Sequence, residues 1–149
     1  MGSLVSGVVV RLVGPISSRA MSNDREAIDA SGAPAAIGPY SHAVRAGSLL
    51  FCSGQIPLDP ASGELVGETA AEQARQCLEN LSAVCDAAGA SLADAVRLTV
   101  YMTDLSAFAE VGEVYATFFS DAPPARVAIG VVALPRGALV EIDAIVALD

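Results

Sequence analysis

Two charged residues stand inside apolar segments near the C-terminus. Arg126 follows two prolines and opens the run "RVAIGVVA", and Glu141 lies within "ALVEIDAIVAL". A guanidinium can hold a carboxylate through two parallel hydrogen bonds, and a carboxylate beside a bound ligand can orient water or move a proton. Each residue also has a plainer interpretation, because strands often begin with a solvated arginine, and the strand face that carries Glu141 and Asp143 is commonly half solvated. Taken alone, the pair indicates either an anion-binding site or two exposed strand residues.

Loop residues between positions 35 and 57 offer further polar groups to a small ligand. Tyr40 follows a loop-forming Gly-Pro pair in "AAIGPYSHAV", where its ring either packs or presents a rigid hydroxyl. In "CSGQIP", Ser53 and Gly54 lie at the end of a predicted strand, where backbone N–H groups can face an anion. His42 is the single histidine and is of a type that serves as a base, but nothing in the sequence orients it for that role.

The residue inventory excludes several kinds of chemistry. All of the basic residues are arginines, so no lysine can form a Schiff base or anchor pyridoxal phosphate. A single histidine argues against a multi-histidine metal site and against a Ser-His-Asp triad with a spare ligand. The three cysteines show no C-x-x-C spacing and no disulfide framework, which is typical of a reducing, cytoplasmic compartment. A formal net charge of −9 without any basic run argues against a nucleic-acid binder.

The N-terminal apolar stretch at positions 4 to 16 does not predict a membrane span. Arg11 and Pro15 interrupt it, and it falls short of the ~18 apolar residues that a spanning helix needs. The first 20 residues contain arginines and no acid, which leaves a transit-like segment open. We expect instead that translation begins at Met21, with residues 1 to 20 a non-native or disordered tail and residues 21 to 149 a single domain. Because 53% of the residues are hydrophobic, this small domain is expected to cover apolar surface by forming a homo-oligomer.

Seven predicted elements follow one another in the order β-β-α-β-α-β-β. A strand pair spans 43 to 56 with a turn near Gly47, and a helix spans 69 to 89, where Thr69 and Glu72 form a capping box. A strand over 95 to 102 comes next, followed by a helix over 105 to 119. The apolar stripe of this second helix contains Phe108, Val111, Tyr115 and Phe118. Both helices are expected to cover one face of the sheet of an α+β domain, which leaves the other face to neighbouring subunits.

The last two predicted strands, over 126 to 133 and 138 to 148, are joined by a turn at 134 to 137 that suits a hairpin. A hairpin would pair residues whose numbers sum to about 271, which places Arg126 near Ile145. Arg126 would then lie ~13 Å along the strand from Glu141. The two charged groups would not form a simple pair within one hairpin, although they could converge on a cleft across a subunit boundary.

Several of these segments, in this order and at this spacing, resemble the Rid family, also called the YjgF or reactive-intermediate deaminase family. They extend from about Ala33 to Leu148 and comprise "APAAIGPYSHAV", "FCSGQIPLDPASGELV", "QARQCLENLSAVCDAAG" and "PPARVAIGVVALPRGALVEIDAIVAL". The chain looks most like the RidA-like branch of imine and enamine deaminases, whose members keep the arginine of "PAR" and the glutamate of "EI(E/D)A". The resemblance implies a chorismate-mutase-like α+β fold with a mixed sheet. It also implies a homotrimer whose sheets form a central barrel, with a ligand cleft at each subunit interface.

The resemblance further implies a cofactor-free and metal-free hydrolase that limits metabolite damage. Its substrates would be small carboxylate-bearing imines such as 2-iminobutanoate and 2-iminopropanoate, which it would convert to 2-keto acids and ammonia. Arg126 would clamp the carboxylate, and Glu141 would activate water or relay a proton. The pocket would be completed by Tyr40, Ser53, Gly54 and the backbone of Ala128. Many relatives carry a cysteine where this chain has Ala128, so a thiol role at that position is absent here.

Other functions remain open at this point. One is a non-catalytic, small-molecule-binding trimer of the same fold, which the presence of both Arg126 and Glu141 disfavours. Another is a deaminase specialised for a different enamine, such as aminomuconate. A ribonuclease or an inhibitor of translation fits less well, because the chain is acidic and has neither lysine nor a second histidine.

Overall fold

Six strands and two α-helices make up the part of the chain that the computed structural model describes, residues 24–119 and 121–149. The strands are β1 (Arg25–Ile28), β2 (Ala43–Ala46), β3 (Leu49–Gln55), β4 (Ala95–Met102), β5 (Ala125–Gly130) and β6 (Val140–Ala147). The helices are α1 (Ala70–Ala87) and α2 (Phe108–Ala116). The tail expected over residues 1 to 20 lies outside the described residues. Neither of the described α-helices is long and apolar enough to cross a membrane.

The strands form one mixed sheet in the order β1-β2-β3-β6-β4-β5. The first three strands make an antiparallel meander, and β5 pairs parallel to β4 after the chain has passed through α2. β6 enters between β3 and β4 and runs antiparallel to both. The predicted α+β class and the two helices are confirmed, with one strand more than predicted. That strand, β1, reads "REAI", which is too short and too polar to show an alternating pattern.

The predicted hairpin between the last two strands is wrong, because β4 lies between β5 and β6. The connection over 131 to 139 is long enough to cross the end of β4, and it is tied there by a hydrogen bond of 2.8 Å from the N–H of Val131 to the carbonyl of Met102. The parallel pairing of β5 with β4 then occupies the edge that a hairpin would have used. Arg126 consequently lies opposite Leu98 of β4 and not beside Ile145 of β6.

Local signals define α1, as predicted. The hydroxyl of Thr69 accepts a hydrogen bond from the N–H of Glu72 (3.2 Å), and the Glu72 carboxylate accepts one from the N–H of Thr69 (3.3 Å), which completes the capping box. The helix ends just before Gly89, whose φ of 70° is a conformation that glycine adopts readily. Its apolar stripe is buried in the core and comprises Ala74, Cys77, Leu78, Leu81, Val84, Cys85 and Ala88.

The second helix is shorter than predicted and buries a different aromatic residue. A 3-10 turn, Leu105–Ala107, precedes α2, and the α-helix ends at position 116. Tyr115 is buried as expected, but Phe108 remains 42% exposed, and Phe119 rather than Phe118 completes the core. The helical spacing that selected Phe118 does not apply beyond the last turn of α2, so Phe118 is only partly buried against the core. Phe108 is the first residue of α2, where its ring lies beside the guanidinium of Arg126 and stays partly exposed.

The sheet has one covered face and one open face. Alternate residues of β4 and β6 turn towards both helices, and the buried set includes Leu98, Val100, Ile142 and Ala144. The opposite face carries large apolar side chains that are between 41% and 44% exposed, namely Phe51, Val127 and Ile129. The placement of both helices on one face agrees with the prediction. That neighbouring subunits cover the open face stays a prediction.

Candidate functional site

A cavity of about 590 Å³ opens beside the junction of β3 and β6. Three segments form its walls: the loop at 34–40, the end of β3 with the residues that follow it (53–58), and the stretch at 135–141 that leads into β6. Its volume lies in the range of sites that accept small organic ligands. Of the described residues in these walls, one carries a carboxylate, Glu141, and one carries a guanidinium, Arg136.

The loop at 34–40 presents Tyr40 to the cavity. Gly38 allows the loop to turn, since its φ of 123° is a conformation that side-chain-bearing residues rarely adopt. The N–H of Ile37 donates to the Tyr40 hydroxyl over 3.2 Å, which holds the ring in place. Tyr40 is 47% exposed, and the hydroxyl keeps its own hydrogen for an acceptor on a ligand.

His42 holds the loop at 34–40 in place through a hydrogen bond to Pro34 and does not line the cavity. The ring is buried, and its Nδ1 accepts a hydrogen bond of 3.0 Å from the N–H of Ala30. Its Nε2 donates to the carbonyl of Pro34 over 2.7 Å, so the hydrogen-bond network assigns the proton to Nε2. The exposed carboxylate of Asp29 also lies 3.2 Å from Nδ1. Because both ring nitrogens are engaged by backbone groups and the ring is buried away from the cavity, His42 has a structural role here rather than that of a base.

Ser53 and Gly54 lie where β3 loses its register with β6, between positions 52 and 55. A β-bulge changes the direction in which the local side chains point, and such bulges are frequent beside active sites. The Ser53 hydroxyl donates to the carbonyl of Ser41 over 2.6 Å, so towards a ligand it acts as an acceptor. A Cβ at position 54 would lie 3.0 Å from Cδ of Glu141 and would overlap its Oε1. Only glycine lets the Glu141 carboxylate come this close to β3.

Glu141 projects from the open face of β6 into the cavity wall. Burial raises the pKa of its carboxyl above the ordinary value, and the neighbouring Asp143 carboxylate raises it further. Asp143 is held in turn by Tyr101, whose hydroxyl donates to Oδ2 over 3.1 Å. A carboxyl with a raised pKa exchanges protons more readily near neutral pH. This arrangement can therefore orient a water molecule and move a proton.

Arg126 lies outside this cavity, on the exposed edge strand β5. Its guanidinium carbon is 5.0 Å from the ring centroid of Phe108 and 5.2 Å from that of Tyr115, which is the range of cation–π interactions. Within residues 24–119 and 121–149 the guanidinium makes no ion pair and no hydrogen bond. The two rings position the cation while its N–H donors stay available to an anion.

Within one chain, Arg126 and Glu141 face opposite sides of the sheet. On β4, Arg126 lies opposite Leu98 and Glu141 lies opposite Tyr101, so the two side chains alternate to different faces. Two strand spacings across the sheet and three residues along it separate their Cα atoms by ~14 Å. This separation agrees with the expectation that Arg126 and Glu141 do not pair directly. The cause is different from the predicted one, because β4 lies between β5 and β6 and the two strands do not form a hairpin.

The residues predicted from the sequence thus fall into two groups. Tyr40, Ser53, Gly54 and Glu141 line the cavity, whereas Arg126 and Ala128 lie on β5 outside it. Sequence reasoning missed the apolar wall residues and Arg136, which was interpreted as part of a turn only. The turn signal was real, but a turn motif does not indicate which side chain faces a cavity. In the described part of the chain, no cluster of three or more His, Cys, Asp or Glu side chains is arranged to hold a metal ion.

Known proteins are similar to this chain over most of its length. A family model described as Endoribonuclease L-PSP matches residues 30–148. A RutC family protein of Sinorhizobium fredii is 52% identical over 123 residues, which cover 83% of this chain and 98% of that protein. The mouse protein named 2-iminobutanoate/2-iminopropanoate deaminase is 47% identical over 121 residues, 81% of this chain and 90% of its own length. The crystal structure of RidA from an Antarctic Psychrobacter species superposes with a TM-score of 0.79 at 46% identity, covering 83% of this chain and 99% of that one.

Proposed function

The chain belongs to the Rid family, also called the YjgF or RutC family, and on that premise we propose that it is a cofactor-free hydrolase of reactive 2-imino acids. It would convert 2-iminobutanoate and 2-iminopropanoate to the corresponding 2-keto acids and ammonia, which removes reactive by-products of amino-acid metabolism. Support comes from the mammalian relatives that bear this activity in their names. The observation in this chain that carries the proposal is the Glu141 carboxyl, whose pKa is raised and which lies in a cavity wall against Gly54.

The proposed hydrolysis requires one group that accepts and returns a proton. Water adds to the imine carbon while Glu141 takes a proton from it, and the C=N electron pair moves onto nitrogen. Glu141 returns this proton to the nitrogen, which gives a carbinolamine with one hydroxyl and one amine on the former imine carbon. Glu141 next moves the hydroxyl proton to the amine, the C–N bond breaks with its electron pair leaving on ammonia, and an oxygen lone pair forms the keto group. The hydroxyl of Tyr40 and the Ser53 oxygen would orient the polar atoms of the substrate. The products are one 2-keto acid and one ammonia for each imine and water consumed.

Binding of the substrate carboxylate requires a cation, and we assign this role to Arg126 of an adjacent copy of the chain. Within one chain the ~14 Å separation and the opposite faces keep Arg126 away from Glu141. Arg126 nevertheless has the properties of an anion clamp, because aromatic rings position it and it has no carboxylate partner among the described residues. A homotrimer in which the open sheet faces pack together would cover the exposed Phe51, Val127 and Ile129. Arg126 faces the other side of the sheet, but it lies on the edge strand β5, from which it would reach the next copy around the edge of the sheet. Each cavity would then lie at a subunit interface.

The first test is the hydrolysis of 2-iminobutanoate generated in situ by a threonine dehydratase. The wild type is expected to accelerate the decay of the imine above its spontaneous rate. Glu141→Gln should lower kcat by at least ~10²-fold because it removes the proton acceptor. Arg126→Ala should lower kcat/KM by about 10²-fold because it removes charge-assisted hydrogen bonds to the carboxylate. No acceleration by the wild type would rule out this activity and favour a binding-only protein or a different enamine substrate.

A second test concerns the shared site. Neither Arg126→Ala nor Glu141→Gln can form a complete site alone, but a mixed trimer can combine an intact arginine from one copy with an intact glutamate from the next. Random mixing of equal amounts should restore activity at about a quarter of the sites. Light scattering should give three times the chain mass of 15.1 kDa. If subunit exchange is verified and no activity returns at any ratio, the two groups do not act across an interface.

A further inference from the structure

The proposed mechanism leaves one charged residue of the cavity wall unused. Arg136 lines the cavity together with Pro135, in the connection between β5 and β6. The clamp at the reacting end of the substrate is assigned to Arg126 of an adjacent copy of the chain. A cavity that carries a second guanidinium of its own can therefore hold a second anionic group.

The backbone at Arg136 adopts a conformation that is unusual for a residue with a long side chain. Its φ of 60° and ψ of 18° lie in the left-handed region, and it is the single non-glycine residue with positive φ in the described part of the chain. Glycine or asparagine adopts this conformation at lower cost than a long side chain does. Non-glycine residues in such conformations cluster at ligand-binding sites, where the strain is offset by function.

The guanidinium of Arg136 is available to a ligand. Nη1 donates one long hydrogen bond, 3.3 Å, to the carbonyl of Gly63, and no carboxylate of residues 24–119 and 121–149 lies within ion-pair distance. Four of the five N–H donors of the fork remain. The single long hydrogen bond to Gly63 restricts the Arg136 side chain and leaves its positive charge unneutralised.

The size of the cavity argues in the same direction. Within one chain the cavity of about 590 Å³ extends from Glu141 to Arg136, so this wall has room for more than the ethyl side chain of 2-iminobutanoate. A longer substrate would extend from the reacting carbon at Glu141 towards the rest of the cavity wall. A distal carboxylate on that substrate would match the planar fork of an arginine in a bidentate pair.

Resting on the proposed function, we infer that Arg136 binds a second carboxylate at the far end of the substrate side chain, so that the protein prefers dicarboxylic 2-imino acids. These are the imines that form when acidic amino acids are oxidised at the α-amino group. The chemistry is unchanged: water adds to the imine carbon, the C–N bond breaks, and the products are a 2-keto dicarboxylate and ammonia. Arg136 is a specificity-determining residue in this scheme, and it does not touch the reacting atoms.

The test compares two substrates of nearly identical shape, using the full-length chain. The imines of glutamate and of glutamine are generated in situ by an amino-acid oxidase in the presence of catalase, and kcat/KM is measured for each. The wild type should prefer the glutamate imine, and Arg136→Gln should lower the ratio of the two kcat/KM values by about 10- to 100-fold, since a charge-assisted bidentate contact is lost. Arg136→Lys should recover part of the preference. Arg75→Gln removes the same charge from an exposed position of α1 outside this cavity and should leave the ratio unchanged.

The outcomes separate this inference from the proposed function. If the wild type hydrolyses 2-iminobutanoate but the substrate ratio is the same in the wild type, Arg136→Gln and Arg75→Gln, the inference about Arg136 is overturned and the deaminase activity stands. If Arg136→Gln lowers both kcat/KM values equally, the residue supports the fold of the site and does not select a carboxylate. If the wild type accelerates the hydrolysis of none of the three imines, both the activity and the inference fail.

Discussion

Gly54→Ala tests whether the position of the Glu141 carboxylate controls the rate. The backbone at Gly54 is not in the left-handed region, so alanine fits the conformation of β3 and only the space beside it is at issue. The new Cβ would lie 3.0 Å from Cδ and 3.2 Å from Cγ of Glu141, and it would overlap Oε1. Ordinary van der Waals contact begins at 3.4 Å, so the carboxylate must retreat.

The overlap requires the reacting oxygen of Glu141 to move by about 1 Å, a displacement that can cost ~10²-fold in rate. That factor corresponds to about 2.7 kcal/mol of transition-state stabilisation. The overlapping atoms belong to the end of a flexible side chain, so the free energy of unfolding should fall by no more than about 1 kcal/mol. The loss of activity should exceed what partial unfolding explains, because the variant remains largely folded at ambient temperature.

The assay is kcat/KM for 2-iminobutanoate, measured beside the melting temperature of each variant. Gly112→Ala is the matched control, since it adds the same methyl group inside α2 where nothing lies within 4 Å. It should keep full activity and gain ~0.5–1 kcal/mol of stability from the better helix former. The double variant Gly54→Ala, Glu141→Gln should be no slower than Glu141→Gln alone, because the added methyl acts through the carboxylate.

Two results would contradict this reasoning. If Gly54→Ala remains folded and keeps its activity within about twofold, the carboxylate position is not critical and Glu141 loses its assigned role. If the double variant is much slower than Glu141→Gln, the methyl group obstructs the ligand directly and the effect does not pass through Glu141.

Three further predictions concern groups around the site. Glu141→Gln should unfold at a higher urea concentration than the wild type at neutral pH. The raised pKa means that the folded state favours the protonated carboxyl, so the wild type loses stability as the pH rises through the folded-state pKa of Glu141. The difference in urea midpoint between the two proteins should vanish below the ordinary pKa value of 4.5. His42→Ala should lower the free energy of unfolding by at least ~2 kcal/mol, because the Ala30 N–H and the Pro34 carbonyl lose their partner, while the shape of the pH–rate profile stays the same; loss of one limb would show that His42 is a base. Tyr115→Phe should change stability by less than ~1 kcal/mol in thermal unfolding, since the buried hydroxyl has no hydrogen-bond partner among the described residues, and a larger loss would reveal one.

The accuracy of the sequence predictions follows the range of the interactions involved. The strand at 95 to 102 and the capping box at Thr69 depend on residues that are neighbours in the chain, and both are confirmed. The pairing of β5 depends on where the chain goes after α2, and here the hairpin prediction is wrong. A turn sequence at 134 to 137 does occur, but a turn does not specify that both flanking strands are neighbours in a sheet.

The candidate site divides in the same way. Tyr40, Ser53, Gly54 and Glu141 were predicted from motifs and do line one cavity, while Arg136 was interpreted only as a turn residue. The role of Gly54 illustrates the difference. Its placement at the end of a strand was visible in the sequence, but the need for glycine arises from Glu141, which lies on another strand and more than eighty positions away.

The sequence by itself determined five of the six strands, the position of both helices, the apolar faces of α1 and β6, and the functional groups that are available. Periodicity, capping and composition depend on neighbouring residues and can therefore be recognised in the sequence. Only the tertiary structure decided that β6 enters between β3 and β4, that Glu141 lies against Gly54, and that Arg126 is held by Phe108 and Tyr115 on the other face. These contacts join residues far apart in the chain. Their selection depends on how the whole apolar surface is buried at once, which no local pattern encodes.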